Sequence, residues 1–183
     1  MNIRSLHAKF DEVRDILLSC KKVDIFGFTE TFLTDIDTTS YVIPSFTSIT
    51  RNLTSGSGWG VCVYVRDGTN FELREDLHCD NVEGIFIEIL SKKSKHFIVA
   101  FIYKPPEISK HLSRNFDQIL SEKLQTITKE KKECVIPGAV LNANYNKIEH
   151  QKVKKLKIKK FFIDNGFEPV SYTHLTLPTI LRV

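Results

Sequence analysis

The sequence predicts an α/β domain, and three observations carry that reading. Apolar runs of strand length recur along the chain, and at least two stretches carry apolar residues at helical spacing. Residues 135–146, VIPGAVLNANYN, pass from an apolar run through a glycine into asparagines. In an α/β protein a buried strand delivers polar groups to a site at its carboxyl end in this way. Here the polar end contains no carboxylate.

Each element follows from local pattern. Leu6, Phe10, Val13 and Leu17 recur every three or four residues behind Ser5, a good capping residue, so 6–20 reads as an amphipathic helix. VDIFGF, 23–28, is short, apolar and bounded by polar residues, as a buried strand should be, and it ends at Thr29-Glu30-Thr31. Four further strands are expected at 45–50, 60–65, 84–89 and 96–103, the last two suited to central positions. A second helix is expected over 112–127, with Leu112, Phe116, Ile119, Leu120, Leu124 and Ile127 on one face, and VIP follows as the next strand. A third helix, about 149–164, sets Val153, Leu156 and Phe161 among lysines, including Lys152, Lys155 and Lys159. Such a run is more often a solvated helix face than a nucleic-acid patch. GSGWG, 56–60, lacks the lysine and hydroxyl residue of a phosphate-binding loop and reads as a glycine turn into a strand.

Composition narrows the class. The 183 residues are 42% hydrophobic and 26% charged, which suits one domain with a sizeable core. A formal charge of +4 permits a phosphate-bearing partner without demanding one. Cys20, Cys62, Cys79 and Cys134 lie at wide, irregular intervals, so neither a zinc site nor a disulfide framework is suggested and a reducing interior fits best. MNIRSLHAKF carries charges where a signal peptide needs apolar residues, and no run is long enough to cross a bilayer. The expectation is an intracellular protein, cytoplasmic or nuclear, with no membrane partner. The Asn52-Leu53-Thr54 triplet reads as a chance glycosylation match without a secretory signal.

The residues with chemical promise are Asn2, Glu30, Tyr103 before Pro105-Pro106, and Asn142 after the glycine. Singly each is ordinary, since an acid after a strand is usually a cap or turn residue. Their order is more specific. NIRSLHAKFDEV, DIFGFTETFL, GVCVYVRD, FIVAFIYKPP and the glycine-asparagine turn, in that sequence, resemble the endonuclease domain of non-LTR retrotransposons, a branch of the endonuclease/exonuclease/phosphatase superfamily. The resemblance covers about residues 2–168.

That resemblance implies a four-layer αββα sandwich of the deoxyribonuclease-I-like type, with an active site at one rim of its two sheets. Glu30 matches the acid that holds a divalent cation, for which magnesium is the expected cofactor. Asn2 matches the asparagine that helps set that acid, Tyr103 the tyrosine that hydrogen-bonds the scissile phosphate, and Asn142 the asparagine of the Gly-Asp-x-Asn turn. Lys104, Lys152, Lys155 and Lys159 are the expected contacts to DNA, the partner implied, and no small-molecule cofactor is expected. The reaction would be hydrolysis of a phosphodiester, nicking a target for retrotransposition.

The chain departs from that pattern where the family turn reads Gly-Asp-Phe-Asn. Gly138-Ala139-Val140-Leu141-Asn142 has one residue more and no aspartate, and neither Ala139 nor Val140 can hold a proton or a metal. The family also places a strand before its first asparagine, and an aspartate and a histidine near its end. None of the six histidines stands in such a context, so the sandwich is expected to be incomplete at both ends. Val170–Thr179, VSYTHLTLPT, is similar to the translation of a sequencing adaptor. Residues 1–168 are therefore expected to be a partial endonuclease/exonuclease/phosphatase domain, and 169–183 a non-native tail that docks poorly. Three functions remain: an inactive endonuclease fragment, an active phosphodiesterase or phosphatase of the same superfamily, and a non-catalytic nucleic-acid-binding module.

Overall fold

The computed structural model of the chain describes residues 1–34, 40–52, 59–78, 82–92, 94–104, 116–141 and 180–181. Helix α1 (Leu6–Ser19) starts where the Ser5 hydroxyl accepts from the Ala8 N–H at 3.2 Å, satisfying one free donor of the first turn. Leu6, Val13 and Leu17 are buried and Phe10 packs beside them, the stripe that the spacing predicts.

Among the described residues eight strands follow: β1 (Ile25–Thr29), β2 (Phe46–Arg51), β3 (Val61–Arg66), β4 (Phe71–Leu73), β5 (Glu83–Ile89), β6 (Phe97–Lys104), β7 (Glu133–Leu141) and β8 (Ile180–Leu181). Helix α2 (Phe116–Lys129) lies between β6 and β7 in the chain. The first sheet has the order β2-β3-β1-β8 and the second β4-β5-β6-β7. The pairings are antiparallel except β6 with β7, whose connection contains α2.

Strand alternation sorts the side chains into three apolar layers. Phe26, Phe28, Cys62 and Tyr64 face α1. Ile25, Val61, Val63 and Val65 face the other way and meet Ile85, Ile87, Ile89, Val99, Phe101 and Tyr103 of the second sheet. Phe86, Ile98, Ala100 and Ile102 then meet Phe116, Leu120, Leu124 and Ile127 of α2. The result is the expected order of helix, sheet, sheet, helix. Each of the larger apolar side chains buried in this way contributes about 1.5–3 kcal/mol.

Gly27 fixes how closely the sheets approach. A Cβ there would stand 2.0 Å from the Phe101 ring, so the aromatic ring of one sheet lies directly against the backbone of the other.

Several boundaries differ from expectation. The strand expected to stop at Pro137 runs on to Leu141, and its register with β6 shifts by one between the Val99–Val135 and Phe101–Gly138 pairs. Ile136 and Pro137 together oppose Ala100, a bulge, and proline is tolerated there because the displaced residue needs no ladder N–H. Strand β4 went unread because three residues are too few to show alternation. The lysine-rich helix expected at 149–164 lies outside the described residues.

In the tail expected to dock poorly, Ile180 and Leu181 pair with Phe26 and Ile25. The physical reason lies on the edge of β1. Residues 1–3 run parallel to its second half, with the Ile3 N–H donating to the Thr29 carbonyl at 3.1 Å and the Thr29 N–H to the Met1 carbonyl at 2.9 Å. The first half of that edge is left for β8, and an unpaired strand edge readily takes a partner.

Candidate functional site

Glu30 follows the last residue of β1 and is 7% exposed. Its φ is +57°, and Phe32 two residues on has φ +53°. Left-handed backbone at such residues costs of order 1–3 kcal/mol each and persists only where the surroundings enforce it. They do so from both sides. The Ser5 and Leu6 N–H groups donate to the Glu30 and Thr31 carbonyls at 2.8 Å each, while the Thr31 and Phe32 N–H groups donate to the Gly60 and Trp59 carbonyls at 3.3 and 3.1 Å. Gly60, just before β3, has φ +66°, a value that suits glycine, and residues 56–58 of the expected turn lie outside the described residues.

Tyr103 stands near the carboxyl end of β6 with its side chain buried, and its hydroxyl donates to Glu30 Oε1 at 3.2 Å. This bond crosses from the second sheet to the first, so two residues 73 positions apart meet at one rim of the sandwich. Trp59 stacks on the Tyr103 ring with centroids 5.9 Å apart and planes 26° from parallel.

Asn2 joins the same rim through its parallel bridge to Thr29, and its side-chain oxygen accepts from the Arg4 N–H at 3.2 Å. The Lys104 ammonium lies 5.1 Å from the centroid of the Phe116 ring. Asn142, Lys152, Lys155 and Lys159 lie outside the described residues. On β7 the register partner of Tyr103 is Val140, flanked by Ala139 and Leu141, so this strand offers no carboxylate beside the tyrosine.

On its other side Tyr103 pairs with Glu83, the first residue of β5, which sequence reasoning missed. Glu83 is 6% exposed, and neither carboxylate oxygen has a hydrogen-bond partner of ordinary geometry. Burial pushes its carboxyl up to about 7, with the nearby Gly60 backbone offsetting part of that rise. A signal existed: extended back by one residue, the alternation of Ile85, Ile87 and Ile89 puts an acid on the inward face. The Thr29 and Thr31 hydroxyl oxygens are likewise buried without partners. Among the described residues no three histidine, cysteine, aspartate or glutamate side chains cluster as a metal site.

No family model matches the chain, and no curated protein matches it. Among solved structures, the catalytic domain of Xenopus laevis APE2 is similar, with a TM-score of 0.54 and 16% identity over 78% of this chain and 57% of that one. The chain has the deoxyribonuclease-I-like fold. At this identity the likeness carries the deoxyribonuclease-I-like architecture alone, and the chain spans a little over half of that catalytic domain. No helix among the described residues is long and apolar enough to cross a membrane.

Proposed function

We propose that this chain is a domain of the metal-dependent endonuclease class, of the non-LTR retrotransposon kind, that engages DNA and cleaves it poorly. The observation that carries the reading is the Tyr103–Glu30 hydrogen bond, which joins an acid and a phenol from different sheets at one rim of a deoxyribonuclease-I-like fold. The ordered sequence motifs supply the retrotransposon part of the proposal.

The residues at this rim fit a hard cation. Glu30 is a carboxylate, and the orphaned atoms of the residues flanking it in the chain, Thr29 Oγ1 and Thr31 Oγ1, and of Glu83, the strand neighbour of Tyr103, are all oxygen donors. Glu30 would hold magnesium, which when bound supplies electrostatic stabilisation of charge building on a phosphate. The Tyr103 hydroxyl, already presented by a buried ring, would donate to a phosphate oxygen. Continued alternation would carry Glu30 to the α1 side with Phe28, and the left-handed turn instead accompanies a carboxylate that meets the Tyr103 hydroxyl.

Hydrolysis also needs a group to take the proton of the attacking water, and β7 offers only Ala139, Val140 and Leu141 where the family pattern has its aspartate. A positioned base contributes about 10²- to 10⁴-fold, so loss of the turn aspartate leaves slow cleavage at best. The test is nicking of supercoiled plasmid with magnesium or manganese beside a Glu30→Ala control. The reading expects no nicking above the control, while binding of the same DNA persists. Robust nicking that disappears in Glu30→Ala would overturn the poor-cleavage claim and favour an active phosphodiesterase.

A further inference from the structure

Three aromatic rings form a ladder leading outward from the site. Tyr103 is its buried end, Trp59 stacks on Tyr103, and Phe32 lies next to Trp59 with centroids 5.7 Å apart and planes tilted 43°. Phe32 is 43% exposed. Elsewhere among the described residues, Phe26 with Phe46, Phe28 with Tyr64, and Phe10 with Tyr41 meet edge to face, at 71°, 76° and 74°. Edge-to-face geometry is one of the preferred arrangements of packed aromatic pairs. At the rim Trp59 lies near parallel to Tyr103 and Phe32 is tilted 43° from Trp59, both short of edge to face, and a near-parallel stack offers a flat face to a further ring.

The backbone makes the same point. Phe32 holds φ +53°, rare for a bulky side chain, and the Phe32 N–H bond to the Trp59 carbonyl keeps it there. Core packing does not explain a strained backbone that turns a phenylalanine outward. Strain of this kind concentrates at ligand clamps and active sites.

We infer that Phe32 and Trp59 form a stacking platform for an unpaired nucleobase next to the phosphate engaged at Glu30 and Tyr103. The inference rests on the nucleic-acid reading above and narrows it to a substrate class. A base inside a duplex is stacked on both faces, so the platform takes a single-stranded or extruded nucleotide. Every base presents a π-face, so the platform tolerates any sequence.

Trp59 is the single tryptophan of the chain, so its emission reports on the ladder directly. The test titrates the full chain, in EDTA so that nothing is cleaved, with a twelve-residue oligothymidylate, with the same length of base-free deoxyribose-phosphate oligomer, and with a blunt duplex. The oligothymidylate is expected to quench Trp59 and to bind more tightly than the other two. Base stacking on an aromatic ring is worth about 1–3 kcal/mol, so Phe32→Ala should weaken oligothymidylate binding about tenfold while leaving the base-free oligomer unaffected. Phe32→Leu, which keeps apolar bulk without a ring, should weaken it similarly, and an unchanged melting temperature in either variant separates lost stacking from lost folding. Equal affinity of the wild type and both variants for oligothymidylate, with Trp59 emission unmoved, would overturn the platform and leave the nucleic-acid reading standing. Failure of the wild type to bind either oligomer at low salt would overturn both.

Discussion

Two glutamates on one strand, Glu83 and Glu88 of β5, live in opposite circumstances. Glu88 faces α2 and receives Arg74 at 3.1 Å and Lys132 at 2.7 Å, and these cations also bind Glu130. Glu83, five residues and roughly 16 Å back along the strand, faces the other sheet and has no partner of ordinary geometry. The paired glutamate ties β5 to Arg74 after β4, to the end of α2 and to the approach to β7. The unpaired one sits beside Tyr103, in a neighbourhood that also holds two orphaned threonine hydroxyls and two left-handed residues. Buried polar groups are normally satisfied, and exceptions mark places where a ligand, ion or water completes the set. One region of the sheet is tied together by ion pairs, and the other leaves buried polar groups unpaired.

The contact that most sharply separates the two regions is Gly27 against Phe101. Gly27→Ala would push a methyl into the ring and force the sheets apart at a cost of about 3 kcal/mol. The Tyr103–Glu30 bond spans the sheets and should be lost, whereas the Arg74 network lies within one sheet and its helix and should survive. Chemical denaturation gives the first quantity. The ion pairs can be followed by the salt dependence of the residual stability, and a variant that loses both regions together would blur the distinction.

Glu88→Ala attacks the other region. It strands Arg74 and Lys132 with fewer anions, and because both cations retain Glu130 and some solvent the expected loss is about 2 kcal/mol, below that for a fully buried pair. Binding of oligonucleotide at the far rim should not change. A variant of native stability would show that the network is ornamental.

Much of the stable region was legible in the sequence, because apolar periodicity reports packing. The Leu6–Leu17 stripe, the buried β1 and the central β5 and β6 all follow from it. The site was legible only in part. Glu30 and Tyr103 stood out through the order of motifs, but neither motif says that their side chains meet. Trp59 was missed because a single ring carries no period, and Glu83 because the strand was read from Gly84, one residue short of the acid that its alternation places inward. The extent of β7 was misread because a glycine after a proline looks like a turn, and only the register with β6 reveals that a bulge lets the strand continue.

The central claim, that the rim holds unsatisfied polar groups at the expense of stability, is tested most directly by the pH dependence of unfolding in wild type and Glu83→Gln. Glu83 has a folded value near 7 against an ordinary 4.5, so between those limits the native state binds more protons than the unfolded chain. Its contribution is therefore present at low pH and falls as pH rises through that window, by roughly 3 kcal/mol in total. The N-terminal amine, which burial lowers to about 6, works in the opposite direction between pH 6 and 8 in both proteins and cancels in the difference. The account predicts that the stability of Glu83→Gln relative to wild type rises by about 2–3 kcal/mol from pH 4.5 to pH 8. Parallel curves across that range would contradict it.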